Sequence, residues 1–240
     1  MIPEQTTQDE ILAVFDSLSR QKSSLVVTKD YQGIIISQEI TPDLVNLNRV
    51  VFQALDRDIC AALKGWVHLH SPRFSSPVKA QVKDLSLNRG MFSLSNFSYL
   101  GSEWKERLHE RVQPKDPTYV SLRYQRMDIR ASMLDLSING MGLLVGNSED
   151  CDLEFEPNSC VRTDFETTPA HRWTKLGGAI HYQLKVARSI VRLGIRLYPK
   201  VEQARQLESY IAKRKVEIME NLDQAYLSTL TPLGVESQYF

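Results

Sequence analysis

Apolar and polar positions change period several times along the 240-residue chain. Over residues 5–22, Ile11, Leu12, Val14, Phe15 and Leu18 fall at near-helical spacing, with Thr6 or Thr7 available to cap the start. This stretch predicts an amphipathic helix. Two β-rich runs follow, residues 24–28 and 33–37, and the turn-forming residues between them predict a hairpin. Residues 44–63 mix β-branched and helical signals and satisfy neither period. Strands are predicted by alternation at 66–70, 78–85 and 91–97, the first two joined by a loop of serine and proline.

The pattern breaks at residues 101–117. This stretch is dense in charge and ends in Pro114 and Pro117, a composition that suits a linker between domains. Alternation then resumes. Val120 and Leu122 mark one strand, and Met127, Ile129, Ala131 and Met133 share a face of the next. Further strands are predicted at 141–145, 161–167, 178–184 and 189–197. In the last, Val191, Leu193, Ile195 and Leu197 alternate with Arg192, Gly194 and Arg196. Six short strands separated by turns predict a small closed or nearly closed barrel. From 201 to 226 the period turns helical through Leu207, Ile211, Ile218 and Leu222, giving a helix that covers an end or face of that barrel. The expected divisions are a first domain at 1–100, a linker at 101–117, a barrel with its helix at 118–228, and a flexible tail at 229–240. One near-repeat stands out. Asp84-Leu-Ser-Leu-Asn-Arg-Gly90 resembles Asp135-Leu-Ser-Ile-Asn-Gly140. It reads either as a sign of two related barrels or as ordinary strand-to-turn sequence met twice.

Composition narrows the function. Hydrophobic residues make up 42% and charged residues 24%, inside the globular range. Lys and Arg number 29 and Asp and Glu 29, so the formal charge is zero and gives no support for binding a nucleic-acid polymer. The N-terminus lacks the pattern of a signal peptide, and no apolar run approaches the ~20 residues needed to cross a bilayer. A cytoplasmic protein without membrane insertion is expected. Cys60, Cys151 and Cys160 form no CxxC pair and no disulfide framework. The five histidines show no metal-binding spacing, although His68 and His70 share a strand face. No GxSxG or phosphate-cradling loop is present, so no metal site and no enzyme activity are expected.

Two motifs carry candidate chemistry. Arg107-Leu-His-Glu-Arg111 is an RxxxR, and Asp135-Leu-Ser137-Ile-Asn139-Gly140 is a DxSxxG, with 24 positions between Arg111 and Asp135. A strand, a turn and a strand fit that gap, so both motifs can meet at one end of a barrel. An arginine fork matches the N7 and O6 acceptors of guanine. The Asp135 carboxylate can accept from the opposite guanine edge, and a second arginine with Ser137 can serve phosphate. Gly140 is expected to permit a turn of positive φ and close approach of a ligand. Each motif alone also has an ordinary explanation. The arginines can be solvated charges on a linker helix, Arg107 beside Glu103, and the second motif can be a plain hairpin turn. Order, spacing, linker and following strands favour the joint reading.

Residues 105–225 resemble a PilZ domain, the cyclic di-GMP receptor module, through Arg107, Arg111, Asp135, Ser137 and Gly140 and through Leu193-Gly194-Ile195 in a late strand. In length and order the chain is similar to flagellar-brake (YcgR-like) proteins. The resemblance implies a mainly β, two-domain protein: a split-barrel-like N-terminal β domain, then a six-stranded PilZ β-barrel with a C-terminal helix. It implies cyclic di-GMP as ligand, bound by those five residues, and a change of interdomain arrangement that regulates motility or surface behaviour. It also implies flagellar motor proteins as partners, with recruitment to the basal body. A homodimer through the final helix is compatible. Glu106 stands where the family often carries an arginine or an apolar residue, and an acidic group there favours a single ligand. The competing readings are a PilZ-fold interaction protein that binds no ligand, and a regulator of exopolysaccharide or pilus output. Trp66, Trp104, Trp173, Tyr124 and Tyr182 can offer a stacking surface for bases, but core packing is expected for most of them, Trp104 in the linker three residues before Arg107 being the exception.

Overall fold

A computed structural model of the chain describes residues 3–54, 56, 58–101, 109–146, 154–168 and 171–230. Helix α1 (Pro3–Arg20) precedes strands β1 (Leu25–Tyr31), β2 (Ile34–Asn46), β3 (Arg49–Ala54), β4 (Trp66–His70), β5 (Val78–Ser86) and β6 (Met91–Tyr99). Then come β7 (Tyr119–Tyr124), β8 (Met127–Ser137), β9 (Gly140–Gly146), β10 (Cys160–Thr168), β11 (His171–Ala187), β12 (Ile190–Leu197) and helix α2 (Val201–Leu230). The ambiguous stretch 44–63 resolves into the end of β2, all of β3 and a 3-10 turn at Asp58–Ala62. Its mixed signal has a simple cause, since strand and 3-10 turn follow within a few residues. Strands β1–β6 close into one barrel and β7–β12 into another. Closure pairs every strand on both sides and leaves no free edge. The chain clusters into two compact units, residues 1–31, 35–106 and 219–240 in the first, and 32–34 and 107–218 in the second.

In the first unit, α1 lays Ile11, Phe15 and Leu18 into the barrel core. The Phe15 ring lies 5.6, 5.3 and 5.1 Å from those of Phe52, Phe74 and Phe97. The helix stops at a left-handed Lys22 (φ 49°), with the Ser23 N–H donating to Leu18 O and the Lys22 N–H to Ser19 O. This is the Schellman arrangement, made here without the usual glycine. In the second unit the alternation of β12 is realised, with Val191, Leu193, Ile195 and Leu197 all buried. Residues 201–218 of α2 pack Tyr210 edge-on against Trp173, which stacks on Phe165.

Both barrels follow one cyclic strand order. Read as β4, β5, β6, β3, β2, β1, the first matches β7, β8, β9, β12, β11, β10 of the second strand for strand. The near-repeat falls on matched strands. Asp84 and Asp135 each follow a register shift, and they pair with Ser93 and Gly142 respectively. Ser93 pairs onward with Val51, and Gly142 with Gly194. Two residues before these last positions stand Arg49 and Arg192, at 2.7 Å from Asp84 Oδ2 and 3.6 Å from Asp135 Oδ2. Shared register, bulge and ion pair favour related barrels over coincidence.

Phe15→Ala should destabilise the first unit by about 3–5 kcal/mol, the range for truncating a large aromatic side chain in a packed core. Urea denaturation checks this, and a loss under 1 kcal/mol would show that α1 is not part of the cooperative core.

Candidate functional site

The site is built wholly within the second unit. The register shift between Met133 and Asp135 sets the phase of the end of β8. Leu136 then enters the core, and Asp135 and Ser137 take the opposite face. Ser137 Oγ donates to Gly140 O at 3.1 Å across the two-residue turn. Gly140 does not adopt positive φ, which corrects the sequence expectation. In the matched turn of the first barrel the left-handed residue is Gly90 (φ 63°), where a 3-10 turn lengthens the connection. The second barrel's shorter turn through Ile138 and Asn139 has no such position. Gly140 answers a packing need instead, because a Cβ there would lie 3.3 Å from Ser137 Oγ and 3.4 Å from Ile195 O.

A row of paired residues crosses four strands: Asp135 on β8, Gly142 on β9, Gly194 on β12 and Tyr182 on β11. A Cβ on Gly142 would sit 2.9 Å from Asp135 Oδ2, and one on Gly194 would sit 2.2 Å from Tyr182 Cε1. The carboxylate therefore lies over one glycine and the phenol ring over the other. Two bare backbones form a floor between an acid and an aromatic ring. In the first barrel Ser93 and Val51 fill these places.

Segment 109–113 runs beside β8. Val112 exchanges two backbone hydrogen bonds with Leu136, each 2.9 Å. Arg111 Nη1 donates to Asp135 Oδ1 at 3.2 Å. A ring nitrogen of His109 meets the Asn139 amide at 3.1 Å. The backbone pairing of Val112 with Leu136 holds this part of the expected linker on the barrel. The structure brings Arg111, Asp135, Ser137 and Gly140 together. Arg107, Glu106 and Trp104 lie outside the described residues.

Two contributors, Arg192 and Gly142, were missed by sequence reasoning. Arg192 Nη2 approaches Asp135 Oδ2 at 3.6 Å, and its Nε is buried with no hydrogen-bond partner. Its signal was present in the alternation of β12, where the outward residues are Arg192, Gly194 and Arg196. Gly142 is visible only through strand register. Tyr182, expected in a core, is only partly buried and lies on the site's face. Trp66 also departs from expectation, being exposed with the Lys79 ammonium 4.4 Å from its ring.

Asp135 is only 8% exposed. A carboxylate so buried needs partners, and it has two guanidinium groups. One negative charge between two positive ones leaves a net positive site. The carboxylate offers about four lone-pair directions, of which two face arginines, so N–H donors of a ligand can still be accepted. The guanidinium forks suit phosphate or the acceptor edge of a base. The Tyr182 ring beside the bare floor suits a planar group. Among the described residues no cluster of three His, Cys, Asp or Glu is placed to hold a metal ion. Among them, too, no helix is long and apolar enough to cross a membrane.

No family model matches the sequence, and no curated protein matches it. Several solved structures are similar in outline. The K. pneumonia MrkH–c-di-GMP complex is 13% identical over 90% of this chain and 97% of its own, with a TM-score of 0.47. YcgR in complex with c-di-GMP from Escherichia coli is 14% identical over 91% and 96%, with a TM-score of 0.44. The Bacillus subtilis inhibitor of motility (MotI/DgrA) is 10% identical over 81% and 96%, with a TM-score of 0.41. At these values the likeness carries no functional argument, which rests on the residues themselves.

Gly142→Ala should push the Asp135 carboxylate off its floor and open the contact with Arg111, at a cost of about 1–3 kcal/mol in stability. A structure of the variant that kept the Arg111–Asp135 separation near 3.2 Å would show the floor to be dispensable.

Proposed function

We propose that this chain is a receptor for cyclic di-GMP of the PilZ type, acting by binding rather than by catalysis. The observation that carries the reading is Asp135 held between Arg111 and Arg192 over the bare backbone of Gly142. Arg111, with Arg107 of the same motif, takes the guanine acceptor edge and phosphate. Asp135 accepts from the guanine N1 and N2 hydrogens. Ser137 turns its hydroxyl from Gly140 O to phosphate, and Gly140 keeps the turn close enough for that contact. Arg192 adds a third guanidinium with an unused Nε donor, and Tyr182 offers a stacking face.

On this reading residues 118–228 are the receptor domain, 101–117 its linker, 1–100 a partner domain and 229–240 a tail. Ligand binding biases the interdomain arrangement only so far as the two arrangements differ in affinity. The output is control of motility or surface behaviour from the cytoplasm, through flagellar motor proteins at the basal body. The MrkH and YcgR structures named above were solved with the same ligand. Their low identity leaves the weight on the site's geometry.

Calorimetric titration with cyclic di-GMP, with GTP and cyclic di-AMP as controls, tests this. Selective binding at micromolar or tighter affinity is expected, one ligand per chain. Arg111→Ala and Asp135→Ala should each weaken it by about 10- to 100-fold, the effect of losing a hydrogen bond to a charged group. No heat and no thermal shift at millimolar ligand would reject the receptor reading and leave an interaction domain of this fold.

A further inference from the structure

Among the described residues two charged side chains are buried, Asp135 and Arg214, and both hold segment 109–113. Asp135 receives the Arg111 guanidinium. Arg214, on α2 and 5% exposed, donates from Nε to Gln113 O at 2.9 Å. Its Nη1 bonds Glu217 Oε2 at 3.2 Å, one turn along the same helix. The neighbouring Lys215 is ion-paired with Glu110. Every one of these residues belongs to the second unit.

A buried guanidinium is tolerated when its donors are used. Glu217 travels with the helix, whereas the Gln113 carbonyl belongs to the arginine segment. If that segment left, a donor of a buried charged group would lose its acceptor, which costs more than an ordinary hydrogen bond. We infer that Arg214 is a positioning residue: it fixes the main chain two residues beyond Arg111 and couples the candidate ligand site to residues 201–218 of α2. Coupling of this kind is reciprocal, so a shift of this part of α2 alters ligand affinity, and ligand alters the helix. Only the affinity arm of the test rests on the receptor reading.

The test uses the full chain with Arg214→Met, which keeps side-chain bulk and removes the donors, and Arg214→Lys, which returns a charge and one donor site. The first readout is amide hydrogen exchange without ligand. Protection at Val112 should fall about tenfold or more in Arg214→Met, as expected for a lost bond from a charged donor, and recover in part in Arg214→Lys. Protection of the barrel amides of Leu143 and Leu193 should hold. The second readout is cyclic di-GMP affinity, which should weaken in the same order by about tenfold. Unchanged exchange at Val112 would overturn the inference. So would an equal rise at Val112, Leu143 and Leu193, which would make Arg214 an ordinary core residue. If Arg214→Met does not fold, Lys215→Ala removes the exposed partner of the same segment. It should raise exchange at Val112 more modestly, and no rise would likewise overturn the inference. If the wild-type chain binds no cyclic di-GMP, the receptor reading falls, while the exchange comparison still decides the role of Arg214.

Discussion

The second unit is organised around a carboxylate that is almost out of water. Ionised Asp135 is tolerable there only because partners converge on it from different parts of the chain. Gly142 on β9 gives it room, Arg192 reaches it from β12, and Arg111 reaches it from segment 109–113. One ionised group thus makes three strands and a flanking segment mutually dependent. The same arithmetic leaves one guanidinium charge unmatched, and that surplus favours an anion.

The first barrel is a natural control for this argument. It has the matched aspartate, the matched arginine, the bulge and the cyclic strand order. There Asp84 and Arg49 are about half exposed, so their pair is an ordinary surface ion pair of small energetic weight. Ser93 donates to the Asp84 carboxylate at 3.0 Å, and it and Val51 stand where the second barrel has Gly142 and Gly194. Among the described residues no counterpart of segment 109–113 is seen beside Asp84. Two missing side chains and one added segment separate the two turns.

Segment 109–113 is held from two sides, by Asp135 on the barrel and by Arg214 on α2. On the proposed function, placing Arg111 in advance lowers the conformational cost of capturing a ligand, because less ordering is left for the binding step. It also ties the Arg111 segment to residues of α2 through the Arg214–Gln113 bond. Backbone pairing together with a buried guanidinium makes that connection.

The sequence by itself determined which positions face the cores, because side-chain period is local: α1 through Ile11, Phe15 and Leu18, and β12 through Val191 to Leu197. It also determined that Arg111, Asp135, Ser137 and Gly140 were worth assembling, since residue type and spacing carry that chemistry. That Arg192 and Gly142 stand against Asp135 was beyond its reach, for they meet it only through inter-strand register. Register depends on the bulge before Asp135 and on barrel closure, neither of which leaves a period in the sequence. The φ of Gly140 followed from turn length, and the hold of Arg214 on Gln113 spans 101 positions. These are decided by packing in three dimensions, where residues far apart in the chain become neighbours.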